Sequence, residues 1–181
     1  GGLLLLGALL FSIQIYCDFC GYSLVAIGVA KIMNFNLSKN FDSPYYSTSI
    51  KSFWRRWHIS LSNFFKDYVY IPLGGSRSKT KLKRFRNIII TFTLSGIWHG
   101  ANWTFFIWGF LNGLLLSIQN LIKVKLPQII SSILTLLLIS FLWIIFRSLT
   151  INDAYNYISR IFLEFQLPEL KRDLIIILLY Y

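Results

Sequence analysis

The sequence feature that most constrains the fold is an apolar run over residues 88–118, interrupted at its centre by the polar stretch SGIWHGANW. As a single α-helix its 31 positions would extend about 46 Å at 1.5 Å per residue. A bilayer hydrocarbon core is only about 30 Å thick. The run therefore predicts either a strongly tilted helix or a break between Gly96 and Asn102. A break at membrane depth requires surrounding protein or a water-filled cavity.

The composition indicates an integral membrane protein of the all-α class. Hydrophobic residues make up 55% of the 181 positions and charged residues 14%, and the apolar residues occur in blocks rather than at an amphipathic spacing. Residues 128–147 predict a transmembrane helix, and residues 173–181 predict the start of another. Because the sequence opens on GGLLLLGALL without an initiator Met and ends inside an apolar run, we interpret residues 1–181 as one membrane-embedded fragment of a polytopic protein.

The N-terminal region contains two apolar pieces. Residues 1–16 predict the end of a spanning helix, whereas residues 19–33 are too short to cross alone. The second piece is predicted either to complete a long tilted helix or to re-enter the membrane. Gln14, Asp18 and Tyr22 recur every four residues, which predicts a buried carboxylate with two hydrogen-bond partners on one helix face. Asp18 could there orient a histidine, receive a hydroxyl-bearing substrate or lock helices together, and we favour the structural role.

Positive charge is concentrated between residues 31 and 87, which hold 12 of the 18 Lys and Arg and only two acids. By the positive-inside rule we interpret residues 34–87 as a basic loop on the cytoplasmic side. Within it, residues 53–68 separate apolar from polar side chains on a helical projection, which predicts an interfacial helix on the membrane surface. Basic loops between apolar spans are the ordinary signature of topology, so nucleic-acid binding is disfavoured. Residues 148–172 are interpreted as a loop.

His99 is the first candidate for chemistry, because an ionisable group inside a membrane is costly to bury without a partner or cavity. On one continuous helix, Ser95 would lie one turn before it and Asn102 one turn after it, with Gly96 leaving room beside the ring. A neutral imidazole there could serve as a base near pH 7, and Asn102 could fix its tautomer through a hydrogen bond. The alternative is a structural histidine that holds helices together.

A second histidine, His58, falls on the buried side of the predicted helix over residues 53–68, away from Arg55 and Arg56. It could approach a site from the cytoplasmic face, or it could be a structural histidine bonded to a backbone carbonyl. The sequence leaves these two readings open. The basic stretch SRSKTKLKRFR that follows predicts anchoring to anionic lipid, with binding of a donor's phosphates as the alternative.

Cys17 and Cys20 in YCDFC have a spacing at which two thiolates can share a metal ion. A tetrahedral site needs two more ligands, and the only histidines of the chain, His58 and His99, lie far apart in the sequence. We therefore expect no metal site.

Three blocks, FWRRWHISLS, DYVYIPLGG and SGIWHGANW, follow QIYCDFCGYS in one order and spacing. Together they resemble the membrane-bound O-acyltransferase (MBOAT) family, specifically its alginate O-acetyltransferase-like branch, over roughly residues 11–118. The resemblance implies an MBOAT-type helical bundle with interfacial and re-entrant or broken helices. It also implies an enzyme that moves an acetyl group onto hydroxyls of an exported polysaccharide. Leu24 stands where this branch usually carries an acid, which puts any acceptor-specific role of that position in question.

The resemblance implies that His99, in WHG, is the family's catalytic histidine and that His58, in RRWH, is its second characteristic histidine. We expect both to be catalytic, with His99 as general base and His58 as support on the donor side. We expect the donor to be acetyl-CoA or an acyl carrier derived from it, with no bound cofactor. The expected acceptor is an envelope polysaccharide or a periplasmic or extracellular acetyltransferase partner, and the expected location is the bacterial inner (cytoplasmic) membrane. Alternatives are D-alanyl transfer to teichoic acid, a glycan channel or exporter, and a membrane scaffold. The predicted supporting residues are Asn102, Ser95, Arg55, Arg56, Asp18, Tyr22, Trp98 and Trp103.

Overall fold

The computed structural model describes residues 1–78, 80–122 and 126–166, and the regular structure in these ranges is entirely helical. Seven α-helices occur among the described residues, joined by short 3₁₀ turns and one π-helical turn at Lys66–Tyr70. Three of them, α1 (Gly2–Ile32), α5 (Trp103–Leu121) and α6 (Gln128–Arg147), are long and apolar enough to cross a membrane. The all-α membrane fold expected from the sequence is therefore confirmed. The helices are α1 (Gly2–Ile32), α2 (Ile50–Trp54), α3 (Ile59–Phe65), α4 (Lys81–His99), α5 (Trp103–Leu121), α6 (Gln128–Arg147) and α7 (Ile151–Leu163).

The two N-terminal apolar pieces form one helix. α1 runs without interruption for 31 residues, so the long-helix alternative holds and the second piece does not re-enter separately. At 1.5 Å per residue α1 is about 46 Å long and exceeds the hydrocarbon thickness, so it must tilt or project beyond the core. α6 covers Gln128–Arg147, the range expected from the sequence. The predicted span start at residues 173–181 lies outside the described residues.

The apolar run over residues 88–118 is broken into a helical hairpin. α4 ends at His99, and Asn102 caps the start of α5 by accepting a hydrogen bond from the Thr104 backbone N–H at 3.2 Å. α4 and α5 pack backbone to backbone where Gly96 meets Gly109, since a Cβ on Gly96 would lie 3.0 Å from the Gly109 Cα. Of the two alternatives, the break between Gly96 and Asn102 is the one observed.

The prediction of one continuous helix over residues 53–68 is wrong. α2 ends at Trp54, α3 begins at Ile59, and His58 between them has the left-handed backbone angles φ 45° and ψ 55°. The apolar side chains assigned to lipid pack instead against protein, and Trp57 is only 3% exposed. The reason is that an amphipathic pattern fits a protein surface as well as a lipid surface. Only the far end is open, with Phe64 and Tyr68 exposed.

Residues 40–58, here called the inserted segment, fold back along α1 into the bundle. The Asn40 side-chain amide donates to the Ser23 hydroxyl at 3.4 Å, and the Tyr45 hydroxyl donates to the Ser12 carbonyl at 2.5 Å. These contacts follow α1 over eleven residues toward its N-terminus, about 16 Å at 1.5 Å per residue. The segment carries His58 into the middle of the helices.

Two boundaries drawn from the sequence need correction. The basic loop over 34–87 ends earlier than expected, because α4 begins at Lys81 and is capped by Thr80. The loop predicted over 148–172 contains α7. This helix starts with a capping box, in which Thr150 and Asp153 each bond the other's backbone N–H. The T-x-x-D pattern before an apolar periodicity is the sequence signal for this helix start.

A hydroxyl pair joins α1 to α6. The Ser12 and Ser140 hydroxyl oxygens lie 2.8 Å apart, and both residues are buried. Hydrogen bonds between membrane helices contribute on average about 0.6 kcal/mol and up to about 2 kcal/mol.

We expect Ser140→Ala to lower the free energy of unfolding by about 1 kcal/mol, because it leaves the Ser12 hydroxyl without its partner across the helices. Unfolding of the purified protein in detergent, titrated with a denaturing detergent, measures the change. Ser159→Ala is the matched control, since its hydroxyl bonds the Asn156 carbonyl within α7. Equal losses in the two variants would contradict a bond between α1 and α6 that contributes to stability.

Candidate active site

Both histidines line one cavity of about 830 Å³ between α1, α4, α5, α6 and the segment around α2 and α3. His58 and His99 are 41 residues apart in the sequence and belong to different motifs. They reach the same space because the inserted segment places the end of the RRWH block beside the end of α4. Of the predicted supporting residues, Ser95, Arg55, Asp18, Tyr22 and Trp98 also line this central cavity.

His99 is the last residue of α4 and is held among aromatic rings. Its ring centroid lies 5.4 Å from that of Trp108 and 5.2 Å from that of Phe146, both nearly perpendicular to it. Trp98 and Phe105 lie beside it at 5.2 and 6.3 Å. Within the described part of the chain no side chain or backbone group forms a hydrogen bond with its imidazole. The ring is thus oriented by packing, and His99 lines the central cavity.

Asn102 does not assist His99 in the way the continuous helix implied. The helix ends at His99, so Asn102 no longer lies one turn further along the same face. Its amide donates to the Leu149 carbonyl at 2.9 Å and thereby ties the α4–α5 turn to the α6–α7 junction. Ser95, which does precede His99 by one turn of α4, faces the cavity. The expected hydrogen bond from Asn102 to the imidazole is therefore a wrong inference from helix geometry.

His58 sits where the inserted segment turns into α3. Its ring meets the Phe19 ring edge-on at 4.5 Å, and its Nδ1 atom is buried without a partner among the described residues. Burial, and secondarily the proximity of His99, lowers the pKa of His58 from its ordinary 6.5 to about 4. The imidazole is therefore neutral at physiological pH, and its Nδ1 atom is enclosed by protein.

Asp18 is not the buried carboxylate expected from the sequence. Asp18, Gln14 and Tyr22 do share a face of α1, but all three are exposed. A spacing of four places side chains on one helix face but does not determine whether that face is buried. Asp18 and Tyr22 nevertheless line the central cavity, so they border the space that holds the histidines.

The two neighbouring arginines have different surroundings. Arg55 lines the cavity together with Lys51 and Lys66. Arg56 turns away and donates to the Asp42 carbonyl at 3.3 Å. The cavity therefore has a cationic edge, defined as Lys51, Arg55 and Lys66. Lys66 also forms a salt bridge with Asp67 at 3.3 Å. Sequence reasoning identified Arg55 and did not identify Lys51.

Trp103 and the cysteines lie apart from this chemistry. Trp103 is 68% exposed at the start of α5 and packs edge-on against Phe106 rather than lining the central cavity. Cys17 and Cys20 are free thiols on α1. Across residues 1–78, 80–122 and 126–166 there is no group of three His, Cys, Asp or Glu side chains that could hold a metal ion.

The model of the membrane-bound O-acyltransferase family matches residues 3–129. The chain belongs to this family. It is 43% identical to the probable alginate O-acetylase AlgI of Pseudomonas aeruginosa, over 92% of this chain and 33% of that protein. It is 44% identical to the peptidoglycan O-acetyltransferase of Helicobacter pylori, over 84% of this chain and 30% of that protein. It is 35% identical to the teichoic acid D-alanyltransferase of Bacillus subtilis, over 61% of this chain and 29% of that protein.

The chain spans about a third of the length of these curated relatives. The MBOAT resemblance drawn from the RRWH, IPLGG and WHG blocks is confirmed, including its alginate O-acetylase-like branch. The family match covers the inserted segment and the α4–α5 hairpin, which carry both histidines.

The depressed pKa of His58 predicts a pH-dependent stability. Because the folded-state pKa of about 4 lies below the ordinary 6.5, unfolding takes up a proton between these values. Stability should be constant above pH 6.5 and fall as the pH drops from 6.5 to 4. Thermal unfolding of the detergent-solubilised protein over this range measures it. The variant His58→Gln should show a smaller dependence than the unaltered protein, and an unchanged slope would show that His58 does not contribute to it.

Proposed function

We propose that this chain carries the catalytic histidines of a membrane O-acyltransferase. The enzyme transfers an acetyl group from a cytoplasm-derived donor to hydroxyls of a cell-envelope polysaccharide. The observation that carries the proposal is the shared cavity, since the histidines of two separate family motifs line it together with cationic side chains. Membership of the MBOAT family and the names of its acetyltransferase relatives support the reaction class.

His99 is the proposed general base. Attack of an alcohol on an acyl thioester requires removal of the hydroxyl proton as the new C–O bond forms. A neutral imidazole takes that proton, and the tetrahedral intermediate then collapses with cleavage of the C–S bond. The imidazolium returns its proton to the leaving thiolate, which restores the neutral base. The aromatic rings around His99 support this role, because they fix the ring without occupying its nitrogen atoms.

His58 and the cationic edge are assigned to the donor. Neutral His58 lines the cavity, and its other ring nitrogen, Nε2, can bond a polar group of the donor or the acyl carbonyl. Lys51 and Arg55 suit phosphate groups, since an Arg fork donates two parallel hydrogen bonds to phosphate oxygens. Acetyl-CoA, or an acyl carrier derived from it, has such phosphates. The donor is therefore proposed to lie with its phosphates at the cationic edge and its thioester between the histidines.

The acceptor and the location belong to the same proposal. The protein is proposed to cross the bacterial cytoplasmic membrane several times. A donor from the cytoplasm and a hydroxyl from outside could then both reach the one cavity. The acceptor is a polysaccharide of the envelope or an acetyltransferase partner outside the membrane that passes the group on. An exporter or channel would instead strand polymer inside the cell when the gene is removed, whereas an acetyltransferase leaves export intact and the polymer unmodified.

A second candidate function is D-alanyl transfer to teichoic acid. It is favoured by the similarity to the Bacillus subtilis teichoic acid D-alanyltransferase, which covers 61% of this chain. Acetyl transfer is preferred because the acetyltransferase relatives are more similar over a larger share of the chain. Mass spectrometry of ester-linked groups released from envelope glycans, with and without the gene, distinguishes acetate from D-alanine.

His99→Ala should reduce O-acyl transfer at least 100-fold, in line with the 10²–10⁴-fold contributed by a general base. The protein should still insert into the membrane at the normal level. Release of ester-linked acetate from the envelope of complemented cells measures the effect. Asn156→Ala, on the exposed side of α7, is the control and should leave transfer unchanged. Full acetylation by the His99→Ala protein would refute the assignment.

Arg55 and Arg56 offer a matched pair for testing the donor site. Arg55→Gln should raise the KM for the donor about tenfold with little change in kcat, because a charge-assisted hydrogen bond to phosphate contributes about 1.5–3 kcal/mol. Arg56→Gln should leave KM within twofold, since its guanidinium faces Asp42 outside the cavity. Steady-state kinetics on the purified protein measure both. Equal effects on KM would argue against a phosphate site at Arg55.

A further inference from the structure

We infer that the hydrogen bond between Trp54 and Asn112 positions His58 relative to His99, so that Asn112 is a positioning residue for acyl transfer. The inference rests on the proposed function, but the pairing itself is a structural claim. Neither residue is catalytic here, because each acts through its neighbours.

Asn112 is the polar centre of an otherwise apolar stretch of α5. It has no exposed surface, and both ends of its amide are used. The Oδ1 atom accepts from the Trp54 indole N–H at 3.2 Å, and the Nδ2 group donates to the Trp108 carbonyl at 2.9 Å. A buried amide within a membrane span is costly unless it is bonded. Its pairing with Trp54, 58 residues away in sequence, is therefore specific.

Trp54 stands directly before the break that leads to His58. It is the last residue of α2, and its ring meets Phe92 of α4 at 5.3 Å and Trp108 of α5 at 5.7 Å. The indole N–H is the single donor of that ring, so its bond to Asn112 fixes how the ring is rotated in the contact. The end of α2 is thereby held against the α4–α5 hairpin at one defined orientation.

The same residues lead to the second histidine. Trp108, whose carbonyl accepts from Asn112, packs its ring perpendicular to that of His99 at 5.4 Å. Asn112 thus contacts the support of His99 on its own helix and the support of His58 on the inserted segment. Loss of the Trp54 N–H would leave the apolar packing in place but remove the hydrogen bond that fixes how the Trp54 ring is rotated. The relative placement of the two imidazoles would then loosen.

The test replaces Trp54 by β-(3-benzothienyl)alanine in the complete protein, which keeps the ring shape and exchanges N–H for sulfur. We expect kcat for acyl transfer to fall about tenfold, with the KM for the donor within twofold. Carbethoxylation of His58 by diethyl pyrocarbonate, followed by mass spectrometry, should become several-fold faster. Asn112→Leu should behave alike, and the doubly altered protein should be no worse than either single one. Ser140→Ala is the control for a buried bond remote from the histidines.

Each outcome decides the inference. Unchanged kcat and unchanged His58 reactivity in the benzothienyl protein would overturn it, as would a loss of thermal stability alone, matching Ser140→Ala. Additive effects in the doubly altered protein would show that the two residues act separately, which also overturns the pairing. If the unaltered protein transfers no acyl group, the proposed function fails, and the His58 reactivity still shows whether the pair positions that ring.

Discussion

The burial of Trp57 inside the helical bundle is the contact on which the arrangement of the cavity depends. Its ring stacks on Phe53 at 5.5 Å and lies 5.0 Å from both Phe41 and Trp143 of α6. Aromatic side chains bury more apolar area than any others, so this cluster can hold a short segment that has little helix of its own. His58 follows Trp57 directly. Whatever fixes the tryptophan therefore fixes the histidine as well.

The inserted segment is partly buried among the helices and must also satisfy its backbone hydrogen bonds, because buried N–H and C=O groups without partners are costly. The Ile59 N–H donates to the Asn40 carbonyl at 2.9 Å, and the Asp42 N–H donates to the Arg56 carbonyl at 3.0 Å. Asn40 adds its side-chain oxygen, which accepts from the Ser60 hydroxyl at 2.6 Å. The loop around Asn40 and the break before α3 thus satisfy each other's hydrogen-bonding groups. These bonds hold the backbone on both sides of His58, which has left-handed angles.

Sequence reasoning succeeded where length and polarity pointed to the same place. The run over residues 88–118 was too long for one untilted crossing, which left a tilt or a break open, and the polar stretch marked the position of the break that is observed. Length alone does not decide, since α1 has the same 31 residues and is unbroken. It failed where a pattern has two physical meanings. The apolar face over residues 53–68 was read as facing lipid, but it packs against α1, α5 and α6, because amphipathicity does not identify the apolar partner. The stripe from Ser95 to Asn102 assumed a helix that the same break removes.

Asn112 shows why other parts of the site were missed. An amide inside FLNGLLLS is a signal readable from sequence, since polar groups within a span need partners. Its partner Trp54 lies in another element, and no periodicity links the two. The same holds for Lys51 at the cavity, which differs from other basic residues of its loop only in position. The residue type indicates that a side chain needs a partner, but only the fold determines which residue that partner is.

The two histidines are held in place by different kinds of contact. His99 ends a helix fixed by the close approach of Gly96 to Gly109, where added atoms would collide with backbone. Such packing is stiff. His58 lies on a segment held by the burial of Trp57, and its ring meets the Phe19 ring edge-on at 4.5 Å. The arrangement of the shared cavity therefore depends on two separate kinds of packing, glycine against glycine in the α4–α5 hairpin and aromatic rings around the inserted segment.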